Sequence, residues 1–141
     1  MTTNYNLQRF LNAQEKDYWV ALSEIKNGKK QSHWIWYIFP QVQGLGLSET
    51  SKFYAIKNIH EAEEFLNHPI LGSRLIEICN ELLNLETGDA HKIFGSPDDK
   101  KLLSSMTLFS SLPGTNTVFQ KVLNKFFDGK KDEKTLIIIQ E

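Results

Sequence analysis

The stretch PILGSRLIEICNELLNLETG, residues 69–88, carries the clearest structural pattern in the chain. Its large apolar residues are alternately four and three positions apart, which places them on one face of an α-helix. These residues are Leu71, Leu75, Ile78, Leu82 and Leu85. Proline suits the first helical position because its missing N–H has no partner there anyway, and Gly88 follows the last leucine. The stretch therefore predicts a helix that starts at Pro69 and buries one face.

Shorter stripes of the same kind occur on both sides of this helix and predict further helices. They cover residues 17–28, 60–68, 98–111, 118–128 and 132–141. In the first of these segments Trp19 lies beside the apolar face and extends it. Ser96 and Pro97 supply a capping hydroxyl and a first-position proline for the third, and Asp132 caps the last. The isoleucines near the end fit a strand equally well, but no partner strand is evident elsewhere.

Residues 33–39, HWIWYIF, are apolar on both faces. Such a run forms either a buried strand or a buried helix. Because helices are predicted on both sides of it, we favour a short buried helix with Ser32 as its N-cap and Pro40 at its end. The length of 141 residues and the hydrophobic fraction of 40% suit one packed core. The patterns together predict an all-α fold, a compact multihelical single domain over residues 1–141.

Charge and cysteine content limit the partners and the compartment. The net charge is −1, so the chain has no excess of positive charge with which to neutralise a nucleic-acid backbone. No segment reaches the roughly 20 apolar residues of a membrane span, and the start, MTTNYNLQRF, lacks the apolar run of a signal peptide. The single cysteine, Cys79, lies on an apolar stripe and is interpreted as a buried apolar residue. We expect a cytoplasmic protein that binds neither nucleic acid nor membrane.

Several phrases, in order along nearly the whole chain, match those of a known family. They are LQRFLNAQ, KKQSHWIWYIFPQVQGLGLS, YAI, EAEEFL, HPILGSRL, IFGSPDDKKLLSSMTLF and VFQKVLNKFFDG. On these phrases the chain resembles the domain of unknown function 1810 family, found mainly in bacteria. The resemblance implies a compact, mainly α-helical single domain and implies no activity. Some members carry the label calpastatin, but calpastatins are disordered inhibitor repeats, whereas this composition is that of a packed domain.

A candidate ligand site lies where the aromatic run of residues 32–41 meets a loop that contains two glycines. Aromatic rings there can stack on a base or a sugar, and glycine, which has no Cβ, lets backbone N–H groups approach an anion. A serine in the loop can cap a following helix, whose N-terminus favours negative charge. The candidate ligand-binding residues are Trp34, Trp36, Tyr37, Gln41, Gly44, Gly46 and Ser48. The alternative interpretation is an aromatic core followed by a tight turn.

The helix predicted over residues 98–111 is rich in hydroxyl groups. Four polar residues share the face opposite its apolar stripe: Lys100, Ser104, Thr107 and Ser111. Lys101 and Ser105 form an adjacent row, and both join the candidate ligand-binding residues. Serine and threonine are mediocre helix formers, and if this face is partly buried its hydroxyls need partners, of which a bound ligand is one source. A solvated face is the alternative.

The histidines show no metal-binding spacing, and neither a metal nor a cofactor is expected. Glu64 and His68 are four positions apart, but a lone pair rarely forms a site, and His68 is more simply a helix-start residue that hydrogen-bonds nearby backbone. His33 is the candidate catalytic acid or base, since burial or a carboxylate moves a histidine pKa across neutrality. A core histidine with satisfied hydrogen bonds is the alternative. Arg74 either binds an anion through two guanidinium N–H groups or forms an ion pair with Glu77, and we favour the ion pair.

These residues together predict a protein that binds a phosphorylated or nucleotide-like small molecule, and they leave open whether it also acts on that molecule. The site is built by residues 33–48 with help from Lys101 and Ser105. No nucleophile elbow, Walker loop or Rossmann fingerprint occurs in the sequence, so no reaction is predicted. The competing prediction is a non-enzymatic protein–protein interaction module, in which the aromatic cluster is core and an exposed apolar patch meets the partner.

Overall fold

A computed structural model describes residues 5–140, and this part of the chain forms nine α-helices. In order they are α1 Gln8–Lys26, α2 Ile35–Ile38, α3 Glu49–Tyr54, α4 Ile59–Asn67, α5 Leu71–Asn84, α6 Ala90–Phe94, α7 Asp98–Ser110, α8 Val118–Phe127 and α9 Glu133–Gln140. The described residues contain one isolated parallel bridge, between Val42 and Ile56, and no strand. The prediction of an all-α multihelical fold is therefore confirmed. The first four residues of MTTNYNLQRF and the final Glu141 lie outside the described range.

Helix α5 is the predicted helix with the clearest apolar face, and it packs against at least three other helices. Its predicted apolar face is buried, and α1, α4 and α8 pack against the helix. Four residues of this face are at most 2% exposed: Leu71, Leu75, Ile78 and Leu82. Burying one such side chain contributes about 1.5–3 kcal/mol, so this face carries a large share of the stability. Cys79 is fully buried beside the Met106 sulfur, 3.7 Å away, and burial raises the pKa of its thiol.

The start of α5 is organised by His68, as predicted, although the regular helix begins at Leu71 rather than at Pro69. The His68 Nδ1 atom accepts hydrogen bonds from the backbone N–H groups of Ile70 at 3.1 Å and Leu71 at 3.3 Å. The His68 carbonyl accepts from the N–H of Gly72 at 2.9 Å. The imidazole therefore pairs donors that the first turn of a helix otherwise leaves without partners.

The ion pair predicted between Arg74 and Glu77 does not form, because both residues contact Tyr18 of α1 instead. The Arg74 guanidinium lies over the Tyr18 ring, 5.0 Å from its centroid. The Glu77 carboxylate accepts a hydrogen bond from the Tyr18 hydroxyl. Burial, and next the bond to Glu77, raise the pKa of that hydroxyl. The three side chains join α1 to α5.

Helix α1 is longer than predicted, since it begins at Gln8 and not at Asp17. Its early turns bury Arg9 and Gln14 among apolar neighbours, and these polar residues interrupt the stripe that would have revealed the helix. The expectation that Trp19 extends the buried face is wrong, because its side chain is 61% exposed. A residue one position after a buried one is rotated by about 100° around the helix axis.

The aromatic run is helical, which confirms the short buried helix, but Ser32 is not its N-cap. Trp34 occupies the N-cap position of α2 and makes no side-chain capping bond. The hydroxyl and backbone N–H of Ser32 instead donate to the Glu24 carboxylate of α1. The helix ends before Pro40, as expected.

The ends of the later helices agree only partly with prediction. The capping role assigned to Ser96 is wrong, because α7 begins after Pro97 without any side-chain cap. The short α6, capped by Asp89, has too few residues to give a visible stripe and was not predicted. At α9 the prediction is confirmed, since the Asp132 carboxylate accepts from the backbone N–H of Thr135 at 3.1 Å.

Candidate ligand-binding site

A cavity of about 340 Å³ lies between α2, α3 and the loop that joins them. We call it the ring cavity because two aromatic rings form part of its wall. The lining residues include Trp36, Gln41, Gly44, Gly46, Lys52 and Tyr54. The structure therefore brings together four of the residues singled out from the sequence, and it adds the phenol of Tyr54 and the amine of Lys52.

Backbone hydrogen bonds hold one wall of the ring cavity in place. The N–H of Gln43 donates to the carbonyl of Ile56 at 2.8 Å, and the N–H of Ile56 donates to the carbonyl of Gln41 at 2.8 Å. The side chains of Val42 and Ile56, which form the β-bridge, are buried at this junction. The loop is thus tied to the segment that follows α3, and the polar side chains of Gln41 and Gln43 start from a fixed backbone.

Two glycines shape the opposite side of the loop. Gly44 has a φ of +101°, a conformation that residues with a Cβ rarely adopt. At Gly46 a Cβ would lie 2.4 Å from the Cβ of Ser51, so only glycine fits there. The loop backbone therefore packs directly against α3, which is the close approach that the paired glycines suggested.

Helix α3 forms a second wall, and Ser48 begins it as predicted. The Ser48 hydroxyl oxygen accepts from the N–H of Ser51 at 3.1 Å. Ser48 is exposed and is not among the residues that line the ring cavity. Ser48 therefore begins the helix that forms this wall. Because α3 has only six residues, we do not assign an anion-binding site to its N-terminus.

A buried ion pair anchors the end of α3. The Arg9 guanidinium meets the Glu61 carboxylate at 2.9 Å, with both side chains at most 6% exposed. Arg9 also donates to the backbone carbonyls of Phe53 at 2.8 Å and Ala55 at 2.9 Å. These carbonyls flank Tyr54, so the ion pair fixes the position of the Tyr54 backbone at the ring cavity. Buried charges are tolerated when each is paired and hydrogen-bonded, as here.

Trp36 is the side chain that connects the ring cavity to α7. Its indole N–H is buried and has no hydrogen-bond acceptor within residues 5–140. The Lys101 amine lies 4.8 Å from the centroid of the Trp36 ring, a distance at which a cation is attracted to an aromatic face. Buried polar atoms are nearly always paired, so this unpaired N–H is an exception among the side chains beside the ring cavity.

The hydroxyls in the middle of the α7 face, those of Ser104 and Thr107, are buried and not solvated, whereas Lys100 at its start is exposed and Ser111 at its end is half-buried. The Thr107 hydroxyl donates to the carbonyl of Leu103 at 2.8 Å and accepts from the N–H of Asp132 at 2.9 Å. Ser104 donates to the Asp132 carboxylate at 3.3 Å. The start of α9 thus supplies the partners that the row needs. Ser105 is the exception, since its hydroxyl is fully buried and unpaired within the described residues.

A second depression, of about 520 Å³, adjoins the ring cavity, and Gln41 and Gly46 line both. It runs between α7 and the start of α9. We call it the lysine groove after the four lysines that line it: Lys100, Lys101, Lys131 and Lys134. The acidic residues Asp132 and Glu133 also line it. Lys101, predicted as a ligand-binding residue, therefore lies beside the ring cavity and not in its wall.

Trp34 and Tyr37, also predicted as ligand-binding residues, belong to the core. Trp34 is fully buried, and its indole N–H donates to the Glu24 carboxylate at 2.9 Å. The Tyr37 hydroxyl donates to the Asp17 carboxylate. Burial, and next that bond, raise the pKa of the Tyr37 hydroxyl. Neither ring lines the ring cavity, although the Tyr37 ring lies 5.0 Å from the Tyr54 ring, measured between centroids, and lines a neighbouring depression that contains His33.

His33 is exposed, so the core-histidine alternative is wrong. It lines a separate depression of about 460 Å³ together with Glu49 and Thr50. Trp36 and Tyr54 line this depression as well as the ring cavity. His33 is therefore accessible near a carboxylate, and its role as an acid or base stays a prediction.

The sequence interpretation missed Lys52, Tyr54 and the Arg9–Glu61 pair. Tyr54 and Lys52 lie on a helix too short to give a stripe. Arg9 and Glu61 are separated by 52 positions, and nothing local indicates that two charged residues that far apart share one buried contact. The one local signal is the adjacent aromatic pair Phe53 and Tyr54, which follows the polar run of residues 48–52.

Within the part of the chain that the structure describes, no three histidine, cysteine, aspartate or glutamate side chains are grouped so as to hold a metal ion. The described helices also include none that is both long enough and apolar enough to span a membrane.

A family model described as "Protein of unknown function (DUF1810)" matches residues 4–139. Among solved structures, the chain is similar to the crystal structure of the conserved hypothetical protein Rv1873 from Mycobacterium tuberculosis. The two share 37% sequence identity and a TM-score of 0.95, over 97% of this chain and 98% of that chain. A comparison with curated proteins finds no match. The family match agrees with the phrases quoted from the sequence, and the chain belongs to the DUF1810 family of proteins of unknown function.

Proposed function

We propose that the protein binds a phosphorylated, nucleotide-like small molecule, with the flat ring of the ligand in the ring cavity. The observation that carries this proposal is the buried indole N–H of Trp36, which has no acceptor among the described residues although its side chain lines a cavity of about 340 Å³. A ring nitrogen or carbonyl oxygen of a base supplies the acceptor that this donor needs.

The composition of the cavity wall supports a base in preference to a purely apolar ligand. Trp36 and Tyr54 offer aromatic faces, on which stacking contributes about 1–3 kcal/mol per base. The amides of Gln41 and Gln43 can both donate and accept hydrogen bonds, which matches the mixed edge of a base. Lys52 adds a positive charge to the same wall. Ligand pockets commonly combine apolar walls with a few polar groups in this manner.

A thermal-shift screen against nucleosides, nucleotides and sugar phosphates tests the proposal. A ligand at about 100 times its dissociation constant adds about 2.7 kcal/mol of stability, which raises the melting temperature of a domain of this size by several degrees. We expect at least one nucleotide to produce such a shift. If none does, binding of this class of ligand is excluded.

Substitutions at Trp36 locate the site. Trp36→Phe keeps an aromatic face and removes the N–H, so we expect about a fivefold to tenfold loss of ligand affinity, the usual value of one hydrogen bond. The melting temperature of the free protein should fall by only a few degrees, because the lost donor has no partner within residues 5–140 and only the part of the indole beyond a phenyl ring is removed. Trp19→Phe is the matched control, since Trp19 is 61% exposed on α1. Equal affinities for the wild type and Trp36→Phe would place the ligand elsewhere.

A protein–protein interaction module is the second candidate. Leu47 and Phe53 are 87% and 56% exposed; Leu47 lines the ring cavity, and Phe53 precedes Tyr54 of its wall. Exposed apolar side chains grouped together are typical of partner-binding surfaces. This candidate is favoured if the ligand screen is negative and the wild-type protein captures a stoichiometric partner from lysate. The partner should also bind the control variant Trp19→Ser, and it should not bind the Leu47→Ser/Phe53→Ser variant.

A further inference from the structure

The lysine groove gives the proposed ligand a definite chemical class. It adjoins the ring cavity through two shared residues, Gln41 and Gly46. A ligand whose ring lies against Trp36 therefore has a continuous surface that leads from the ring cavity into the groove.

The charge of the groove is positive although the whole chain carries a net charge of −1. Four lysines line the groove, against Asp132 and Glu133. The Asp132 carboxylate keeps its negative charge, but its hydrogen bonds from the backbone N–H of Thr135 at 3.1 Å and from the Ser104 hydroxyl at 3.3 Å satisfy it without a lysine. Three of the lysines form no ion pair with any residue of the range 5–140: Lys100, Lys131 and Lys134. Their amines are available to an anion.

Lys101 joins the groove to the ring cavity. Its amine lies 4.8 Å from the centroid of the Trp36 ring and 3.7 Å from the Asp98 carboxylate. The second distance is long for a charge-assisted hydrogen bond, so a phosphate oxygen can compete for this amine. Lys101 is therefore placed where the ring and the phosphates of one ligand meet.

We propose that the ring cavity and the lysine groove form one composite site for a nucleoside diphosphate, with the base against Trp36 and the phosphates along the lysines. This inference rests on the proposed function. A single phosphate is satisfied by one or two cations, whereas four lysines along a groove match a chain of phosphates. The ring cavity supplies selectivity for the base, and the groove supplies affinity that depends on the number of phosphates and on salt.

Calorimetry with adenosine, AMP, ADP and inorganic pyrophosphate, and with the guanosine series in parallel, tests the composite site. We expect the diphosphate of the preferred base to bind at least about tenfold more tightly than its nucleoside, because charge-assisted contacts are the strong ones. The difference should shrink as the salt concentration rises.

The Lys101→Gln/Lys131→Gln variant separates the two halves of the site. It should bind the diphosphate at least about tenfold more weakly than the wild type does, whereas its affinity for the nucleoside should fall by at most about fivefold, the value of the contact between Lys101 and the Trp36 ring. The matched control is Lys26→Gln/Lys121→Gln, which removes two exposed lysines on α1 and α8 and should bind like the wild type.

Two results would overturn the composite site and leave the proposed function intact. One is equal affinity of the wild-type protein for the nucleoside and the diphosphate. The other is a phosphate-dependent gain that survives in the Lys101→Gln/Lys131→Gln variant. Tight binding of pyrophosphate alone, with no gain from a base, would overturn both the composite site and the base-binding proposal.

Discussion

Gly72 is the residue at which α4 and α5 come closest together. A Cβ at this position would lie 1.8 Å from the backbone oxygen of Leu66, and backbone atoms cannot move aside as a flexible side chain can. We expect Gly72→Ala to lower the free energy of unfolding by about 3 kcal/mol, the upper part of the range for overpacked cores. Urea denaturation measures this loss directly.

Ser73→Ala is the control for that substitution. Ser73 is exposed on the same turn and hydrogen-bonds only to the carbonyl of Pro69, at 2.7 Å, so we expect a change within about 0.5 kcal/mol. A Gly72→Ala protein as stable as Ser73→Ala would mean that α4 and α5 separate without cost, and that the close approach does not limit the packing.

At the scale of single residues, the sequence predicts that a segment is apolar and aromatic, but not which neighbours each of its side chains contacts in the fold. Trp34 and Trp36 are two positions apart in a run that is apolar on both faces, so no pattern separates them. In α2 they are rotated by about 200° from each other. One therefore donates to Glu24 inside the core, while the other lines the ring cavity. That difference depends on how α2 sits against α1 and α7, which only the folded chain determines.

Among the helices, the C-terminus of α5 is held by a side chain from α8. The Lys125 amine donates to the carbonyls of Leu82 at 3.3 Å, Leu83 at 2.9 Å and Leu85. These carbonyls end the helix and carry the negative end of its dipole. We expect Lys125→Met, which keeps the apolar stem, to lower the free energy of unfolding by about 1–2 kcal/mol, as measured in urea.

The matched change for this contact is Lys121→Met, because Lys121 lies one turn earlier on α8 and is exposed. It should leave the midpoint of unfolding unchanged. If both variants unfold at the same urea concentration as the wild type, the three carbonyls are satisfied equally well by water and α8 contributes only its apolar face.

Helices with an uninterrupted apolar stripe are predictable from that stripe alone, whereas the others need a different signal, such as the all-apolar run of α2. The stripes of α5 and α8 identify both helices, and proline or glycine marks their ends. The first half of α1 escapes prediction because Arg9 and Gln14 are buried in it for their hydrogen bonds. Helices α3 and α6 have six and five residues, too few for a period of 3.6 to be recognised. The ring cavity is bounded by one of these short helices, so its full wall was not predictable.

At the scale of the whole molecule, one carboxylate connects three parts of the chain. Glu24 in α1 accepts hydrogen bonds from the backbone N–H groups of Gln31 at 2.7 Å and Ser32 at 2.9 Å, and from the indole of Trp34 at 2.9 Å. Burial alone would raise the pKa of the Glu24 carboxyl, but these bonds and the Ser32 hydroxyl together lower it from 4.5 to about 2. The charged form therefore holds α1, the connecting loop and the start of α2 together.

The lowered pKa of Glu24 predicts how stability depends on pH. A carboxyl whose folded pKa lies below its unfolded value stabilises the fold fully above the unfolded value, near pH 4.5, and loses this contribution as the pH falls towards about 2. We expect Glu24→Gln to lower the free energy of unfolding by about 2 kcal/mol at pH 7, a value discounted for the partial exposure of the group. The difference in free energy of unfolding between wild type and variant should close near pH 2, as measured by urea denaturation at several pH values.

The control is Glu86→Gln, which changes an exposed carboxyl and should show no such difference at any pH. A gap that stays constant with pH would mean that Glu24 acts through its shape and not through its charge.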